Sequence, residues 1–383
     1  MPRAQSVSIT GSVLRWAREA SGFSEDELAR KLGVSSEQVR AWEENRESPN
    51  RTEFAALVRL LRRPSSVFFL PEPPKVAAVQ AQFRRRAGTY AERTNREEAH
   101  WIRVAARLQE VASWAISELQ LESAHLPKVS ASADPDVTGS KERLRFDVPI
   151  GDQISWATPE AAFRQWRLAV ESKGIIVLLL RLGKESCRGF SLSDVHAPLI
   201  AINSAYNAAA RIFTLFHEYG HLLTGTSSIC PAWIDEVAED IERWHERFSA
   251  AFLLPAEDFL EAANKARQRR ELADLELVRY LAGRFNVSLR AVAVRLIELG
   301  AADRALYELV AERATVADFS KAGRGGKGLK KVERRFQEFG YLLPRLLLSA
   351  KEREVLRLHE ILDFLDVGAG DLRRMGELLR PRR

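Results

Sequence analysis

The chain has 383 residues, 46% of them hydrophobic and 29% charged, and 58 Lys+Arg against 52 Asp+Glu give a net charge of +6. That length holds two or three domains with a real core, and the composition excludes wholesale disorder. Only Cys187 and Cys230 are present, which excludes a disulfide scaffold; the apolar run Ile175–Leu180 is too short to cross a bilayer and no apolar signal core opens the sequence, so a reduced, cytoplasmic protein without membrane attachment is expected.

In chain order, residues 12–63 read as short helices separated by turns, closed by Pro64, Pro71, Pro73 and Pro74. Residues 94–120 carry Trp101, Val104, Leu108, Val111, Ala115 and Leu119 at helical spacing, which predicts one long amphipathic helix. Residues 127–160 are rich in Pro, Ser, Asp and Gly and read as a loop. A helix, a strand (175–180), a loop, a second strand (198–203) and a helix (208–224) follow, the only clear β content. Residues 233–254, 257–312 and 329–379 return to helix, and 321–328 is flexible by composition. The fold class is therefore mainly α with a small β-sheet. Residues 321–345 hold eight basic and two acidic side chains, a tract that suits nucleic acid, an acidic partner or a solvated linker.

Ser24 to Trp42 has the spacing of a helix-turn-helix. Ser24 and Glu27 form a capping-box pattern, Ala29 allows a close crossing, Gly33 sits where the turn needs a left-handed backbone, and Val39 packs the second helix back. Ser35 or Ser36 caps that helix, whose first turns present Ser36, Glu37, Gln38 and Arg40 as groove-reading side chains; Arg46 and Arg51 are placed to hold phosphates. With Trp42, Glu43 and Pro49 following, residues 10–70 resemble an Xre/Cro-type helix-turn-helix domain of five helices, which implies operator DNA as a partner. Asn45 stands where that family usually has glycine, and Asn tolerates the same conformation.

Within the helix 208–224, His217-Glu218-Tyr219-Gly220-His221 sets two imidazoles four residues apart, so both project from one face toward a single ion. Glu218 lies beside that face, where it can accept a proton from an activated water. A catalytic zinc needs a third protein ligand and one open position. In the helix after it, Ile234, Val237, Ile241, His245, Phe248 and Phe252 form an apolar stripe, and Glu242 borders it at the edge of a cleft. Glu242 is chosen as the third ligand and Glu246, one turn on, as the carboxylate that orients an imidazole; Asp235 is the alternative for either role. His245 reads first as a satisfied core histidine and otherwise as a residue lining the site, with Tyr206 and His245 the candidates for steadying an oxyanion.

Residues 198–255 resemble the ImmA/IrrE family of zinc metallopeptidases, through Pro198–Asn203, Arg211–Leu223 and Ile241–Pro255. The resemblance implies zinc on His217, His221 and Glu242, with Glu218 as the catalytic glutamate, in an α+β zincin-like domain. Glu246 and His245 depart from the family, which usually has Asn and a small residue there. Together the two resemblances imply an Xre-type domain (1–75), a helical linker (76–126) and a metallopeptidase domain (127–312); after residue 310 composition alone gives a basic linker with a helical C-terminal region (313–383).

The function this implies is a DNA-binding regulatory zinc endopeptidase. It would cleave a partner, a repressor or toxin encoded nearby, and so switch stress, mobile-element or toxin–antitoxin genes; a homodimer is possible. The alternative is a non-proteolytic regulator or antitoxin with a structural zinc site. A second helix-turn-helix spacing at Leu281–Val292, with Ala282, Asn286 and Val292 at the offsets of Ala29, Gly33 and Val39, reads either as another DNA contact or, from the family, as a structural part of the peptidase domain.

Overall fold

Four short helices follow one another at the N-terminus: α1 (Gly11–Ala20), α2 (Glu25–Leu32), α3 (Ser36–Glu43) and α4 (Arg51–Leu61). The computed structural model describes residues 6–61, 63, 65–74, 96–184, 186–225, 228–230, 239–270, 274–317 and 330–379. The capping box of α2 is formed: Ser24 Oγ accepts from Glu27 N–H and Glu27 Oε2 accepts from Ser24 N–H, each at 3.1 Å. Gly33 closes α2 with φ at 73°, and Ser35, not Ser36, caps α3 by accepting from Gln38 N–H. Asn45 adopts φ 57°, and its Oδ1 also accepts from Gly11 N–H at 2.7 Å, so this residue ends α3 and caps α1. Leu14, Leu28, Val39, Trp42, Leu57, Leu61 and Phe68 fill the core. The fifth element is a short 3-10 helix, Ser65–Phe69, rather than an α-helix.

The chain divides into two compact units, 1–104 and 105–383. The boundary falls inside the long helix Arg96–Glu118, which forms where the apolar periodicity predicts it.

In the second unit, 127–160 is not a loop. It contains the helices Pro135–Phe146 and Ile150–Ser155, and a third helix begins at Pro159. Its loop-like composition is capping chemistry: Asp134 accepts from Asp136 and Val137 N–H ahead of Pro135, and Thr158 accepts from Ala161 N–H ahead of Pro159. Gly139 lets Pro135–Phe146 lie against Glu239–Leu253, since a Cβ there would stand 2.9 Å from the backbone nitrogen of Phe252.

Among the described residues the sheet has four strands in the order β1 (Ile176–Leu180), β3 (Leu199–Asn203), β2 (Gly189–Leu192), β4 (Ser228–Cys230). β1 and β3 are parallel; β2 runs antiparallel to both its neighbours. β2 and β4 are additions to the two expected strands, being short and without an apolar run. The helix Ala208–Leu223, called here the motif helix, packs on β2 and β3. Asn207 caps it by accepting from Ala210 N–H. The helix Glu239–Leu253, the acid helix, packs on it in turn. An aromatic cluster of Phe146, Trp166, Phe216, Tyr219, Phe248 and Phe252 fills the space between them, and each such side chain is worth about 1.5–3 kcal/mol of burial.

The helices Lys331–Phe339 and Leu342–Glu352 pack beside β1. Ile176 N–H points toward β3, bonding Pro198 O, so the carbonyl of Val177 faces the open edge of the sheet. Buried Arg167 donates to that carbonyl, and also to those of Gln337 (2.6 Å) and Glu338 (3.3 Å). Glu171 pairs with Arg167 at 3.4 Å and accepts from Tyr341 N–H at 3.0 Å. The flexible tract expected at 321–328 lies outside the described residues. No described helix is long and apolar enough to cross a membrane.

Candidate metal centre and DNA-reading face

The motif helix carries His217 and His221 on its inner side, both buried. Their Nε2 atoms lie 3.3 Å apart. Glu242, on the first turns of the acid helix, brings Oε2 to 3.1 Å from His217 Nε2 and Oε1 to 3.5 Å from His221 Nε2. A tetrahedral ion with bonds of about 2.0–2.1 Å holds its donors roughly 3.3–3.4 Å apart. Two imidazoles and a carboxylate at these separations fit such an ion, and the nitrogen–oxygen chemistry suits zinc.

The electrostatics agree with that donor set. Burial alone would raise the Glu242 carboxyl, but hydrogen bonds from His217 and His221 bring it well below the ordinary carboxylate range. Burial opposes a charge on His217, yet Glu242, Glu218 and Glu246 together raise it. Glu218 is fully buried against β2, its Cγ 3.3 Å from where a Cβ on Gly189 would stand.

The acid helix departs from the expected stripe. Ile241 is 42% exposed, and Trp244 takes the inward place, stacked on Phe248 at 5.4 Å with its Nε1 donating to Ala133 O. Ile234, Val237 and the alternative ligand Asp235 lie outside the described residues. Glu246 is exposed and makes no hydrogen bond to an imidazole among the described residues, because its position on the helix turns it away from the core. His245 is the residue that sequence reasoning undervalued. It offers a ring nitrogen to the same cluster as His217, His221 and Glu242, with the four donor atoms all within 4.8 Å of one another. Burial, then the neighbouring His221 and His217, push its pKa down to about 2, so it is a neutral imidazole. The signal was its place three residues after Glu242, on the same side of the helix. Tyr206 is buried under the Arg188 guanidinium, 5.1 Å from its ring.

In the first unit, Glu37, Arg40, Arg46 and Arg51 are exposed, while Ser36 and Gln38 are half-buried. Ser36 Oγ donates to Asp26. Arg40 pairs with Glu25 at 2.9 Å, and Arg46 with Glu44 at 2.8 Å and Glu37 at 3.0 Å. Arg51 makes no ion pair among the described residues.

The second helix-turn-helix spacing has the local geometry of the first. Asn286 takes φ 57° after the helix Asp274–Phe285, and Ser288 caps Leu289–Glu298. Of its would-be reading side chains, Ala291 and Ala293 are buried and Leu289 and Arg290 half-buried; of the basic residues beside them Arg284 is exposed, Arg295 donates to Leu254 O and Asp136, and Asn286 donates to Trp156 O. This pair is a packing unit of the core.

Residues 170–297 match the model of a peptidase family described as IrrE N-terminal-like domain, and residues 14–68 match that of a helix-turn-helix. Comparison with curated proteins and with solved structures gave no match.

Proposed function

From a chain that joins a helix-turn-helix domain to an IrrE N-terminal-like peptidase domain, we propose a DNA-binding regulatory zinc endopeptidase. It cleaves a partner protein, a transcriptional repressor, and so switches stress, mobile-element or toxin–antitoxin genes. The observation that carries this reading is the convergence of His217, His221 and Glu242, with donors 3.1–3.5 Å apart, beside a buried Glu218.

His217, His221 and Glu242 hold the ion. Zinc, when bound, supplies Lewis-acid activation of water and of a peptide carbonyl. Glu218 takes the proton of the attacking water on its carboxylate and returns it to the leaving amide nitrogen. The packing of the motif helix on β2 and on the aromatic cluster fixes that helix, which the reaction's geometry requires. The helix-turn-helix domain brings the chain to operator DNA, where a repressor is found.

The test is a comparison of new protein N-termini in cells making the chain or its Glu218→Gln form. Glu218→Gln is expected to keep one zinc per chain and to lose the cleavage product. Cleavage that persists in Glu218→Gln, or a chain that takes up no zinc, overturns the reading. The non-proteolytic alternative, a regulator or antitoxin, is favoured by one observation: a fourth donor, His245, stands in the cluster, and closed four-donor sets are typical of structural zinc. The half-life of the repressor with and without Glu218 separates the two.

A further inference from the structure

His245 is fully buried three residues beyond Glu242, its ring centroid 3.8 Å from that of His221. Gly220, inside the histidine motif, makes the room: a Cβ there would stand 3.1 Å from His245 Cδ2 and 3.2 Å from Phe248 Cδ1. The hydroxyl of Thr224 donates to the helix carbonyls of Gly220 (3.3 Å) and His221 (3.2 Å), and its oxygen lies 3.0 Å from His245 Nε2, placed to accept an Nε2–H. That bond sets the tautomer. With Nε2 protonated, Nδ1 is a bare lone pair, buried, with no hydrogen-bond partner among the described residues. An orphaned buried acceptor is costly unless something electropositive meets it. A ring nitrogen of this residue already lies within 4.8 Å of the donors of His217, His221 and Glu242.

We propose that His245 is a fourth protein donor to the ion, so that the resting centre is closed and the side chain acts as a latch. This rests on the metallopeptidase reading above. A four-donor site leaves no position open for water or a carbonyl. His245 must therefore swing off before a peptide can be cut, and Thr224 positions it through Nε2 as outer hydrogen bonds position ligating imidazoles. The latch is built from the acid helix, the motif helix and Thr224, the residue that caps the motif helix.

The experiment titrates zinc and cobalt into the metal-free full-length chain and into His245→Ala, His245→Gln and Thr224→Val, with thermal unfolding to show that each is folded. In the wild type the cobalt form is expected to give the intense visible bands of four-coordination. Both His245 variants should bind zinc at least ~10-fold more weakly and lose band intensity as solvent enters, and Thr224→Val should bind more weakly with its bands retained. If a folded His245 variant matches the wild type in affinity and spectrum, the latch is overturned while the three-donor reading stands. If the wild type takes up no metal, both fall.

Discussion

Phe216, the residue before His217, stacks on Phe252 of the acid helix with ring centroids 4.1 Å apart and planes 26° apart. The contact joins the helix that carries the two imidazoles to the helix that carries Glu242, and Trp166 meets Phe216 edge-on at 4.9 Å. On the proposed function, this pair should couple metal affinity to stability. Phe216→Ala should cost about 3–5 kcal/mol in urea unfolding and weaken zinc binding although no donor is changed. Unfolding at wild-type denaturant concentration would refute it.

Gly139 offers a sharper test of the same packing. A Cβ at this position meets backbone atoms of Ala251 and Phe252, which cannot rotate away. Gly139→Ala gains up to about 1 kcal/mol of helix propensity, but overpacking of about 1–3 kcal/mol should exceed it. A net loss of thermal stability is expected, against the usual effect of this substitution in a helix.

At the DNA-reading face, residues 14–68 hold ten basic and nine acidic side chains, so the domain has little charge to spare for phosphates. Glu25 holds Arg40 in a solvent-exposed pair, which contributes little to stability. Glu25→Gln should tighten operator binding a few-fold at low salt. Arg51→Ala should reduce the salt dependence of binding by about one counterion. An unchanged slope would remove Arg51 from the phosphate contacts.

Burial raises the pKa of Glu171 more than Arg167 and the amides of Tyr341 and Leu342 lower it. A carboxyl raised on folding binds its proton more tightly in the native state. Its contribution to stability therefore declines as pH climbs from about 4.3, the unfolded value, through the native one. Glu171→Gln should flatten the stability profile in that window. Glu171→Ala, which strands Arg167, should cost about 3–5 kcal/mol and release residues 330–379 to protease.

Much of the site was legible because its spacing is imposed by helix geometry. The i, i+4 imidazoles need only a helix, and Glu242 needs only the edge of a packed face. The face differs at one edge: His245, Phe248 and Phe252 are buried as expected, but Ile241 is outside and Trp244 inside, which sequence periodicity does not resolve without the neighbours. His245 read as core because a buried histidine looks the same whether its partner is Thr224 or an ion. The segment 127–160 read as a loop because Asp134, Pro135, Thr158 and Pro159 are the residues of turns and equally of helix starts. The second helix-turn-helix spacing was legible as backbone, but burial of Ala291 and Ala293 is a tertiary fact.

Arg167 and the helix Lys331–Phe339 occupy the outer rim of β1. An outer strand left bare is a template on which other chains can add strands. The C-terminal helices thus serve as a guard against self-association, and a protein shortened to the region resembling the peptidase family would carry an adhesive border in place of a finished one.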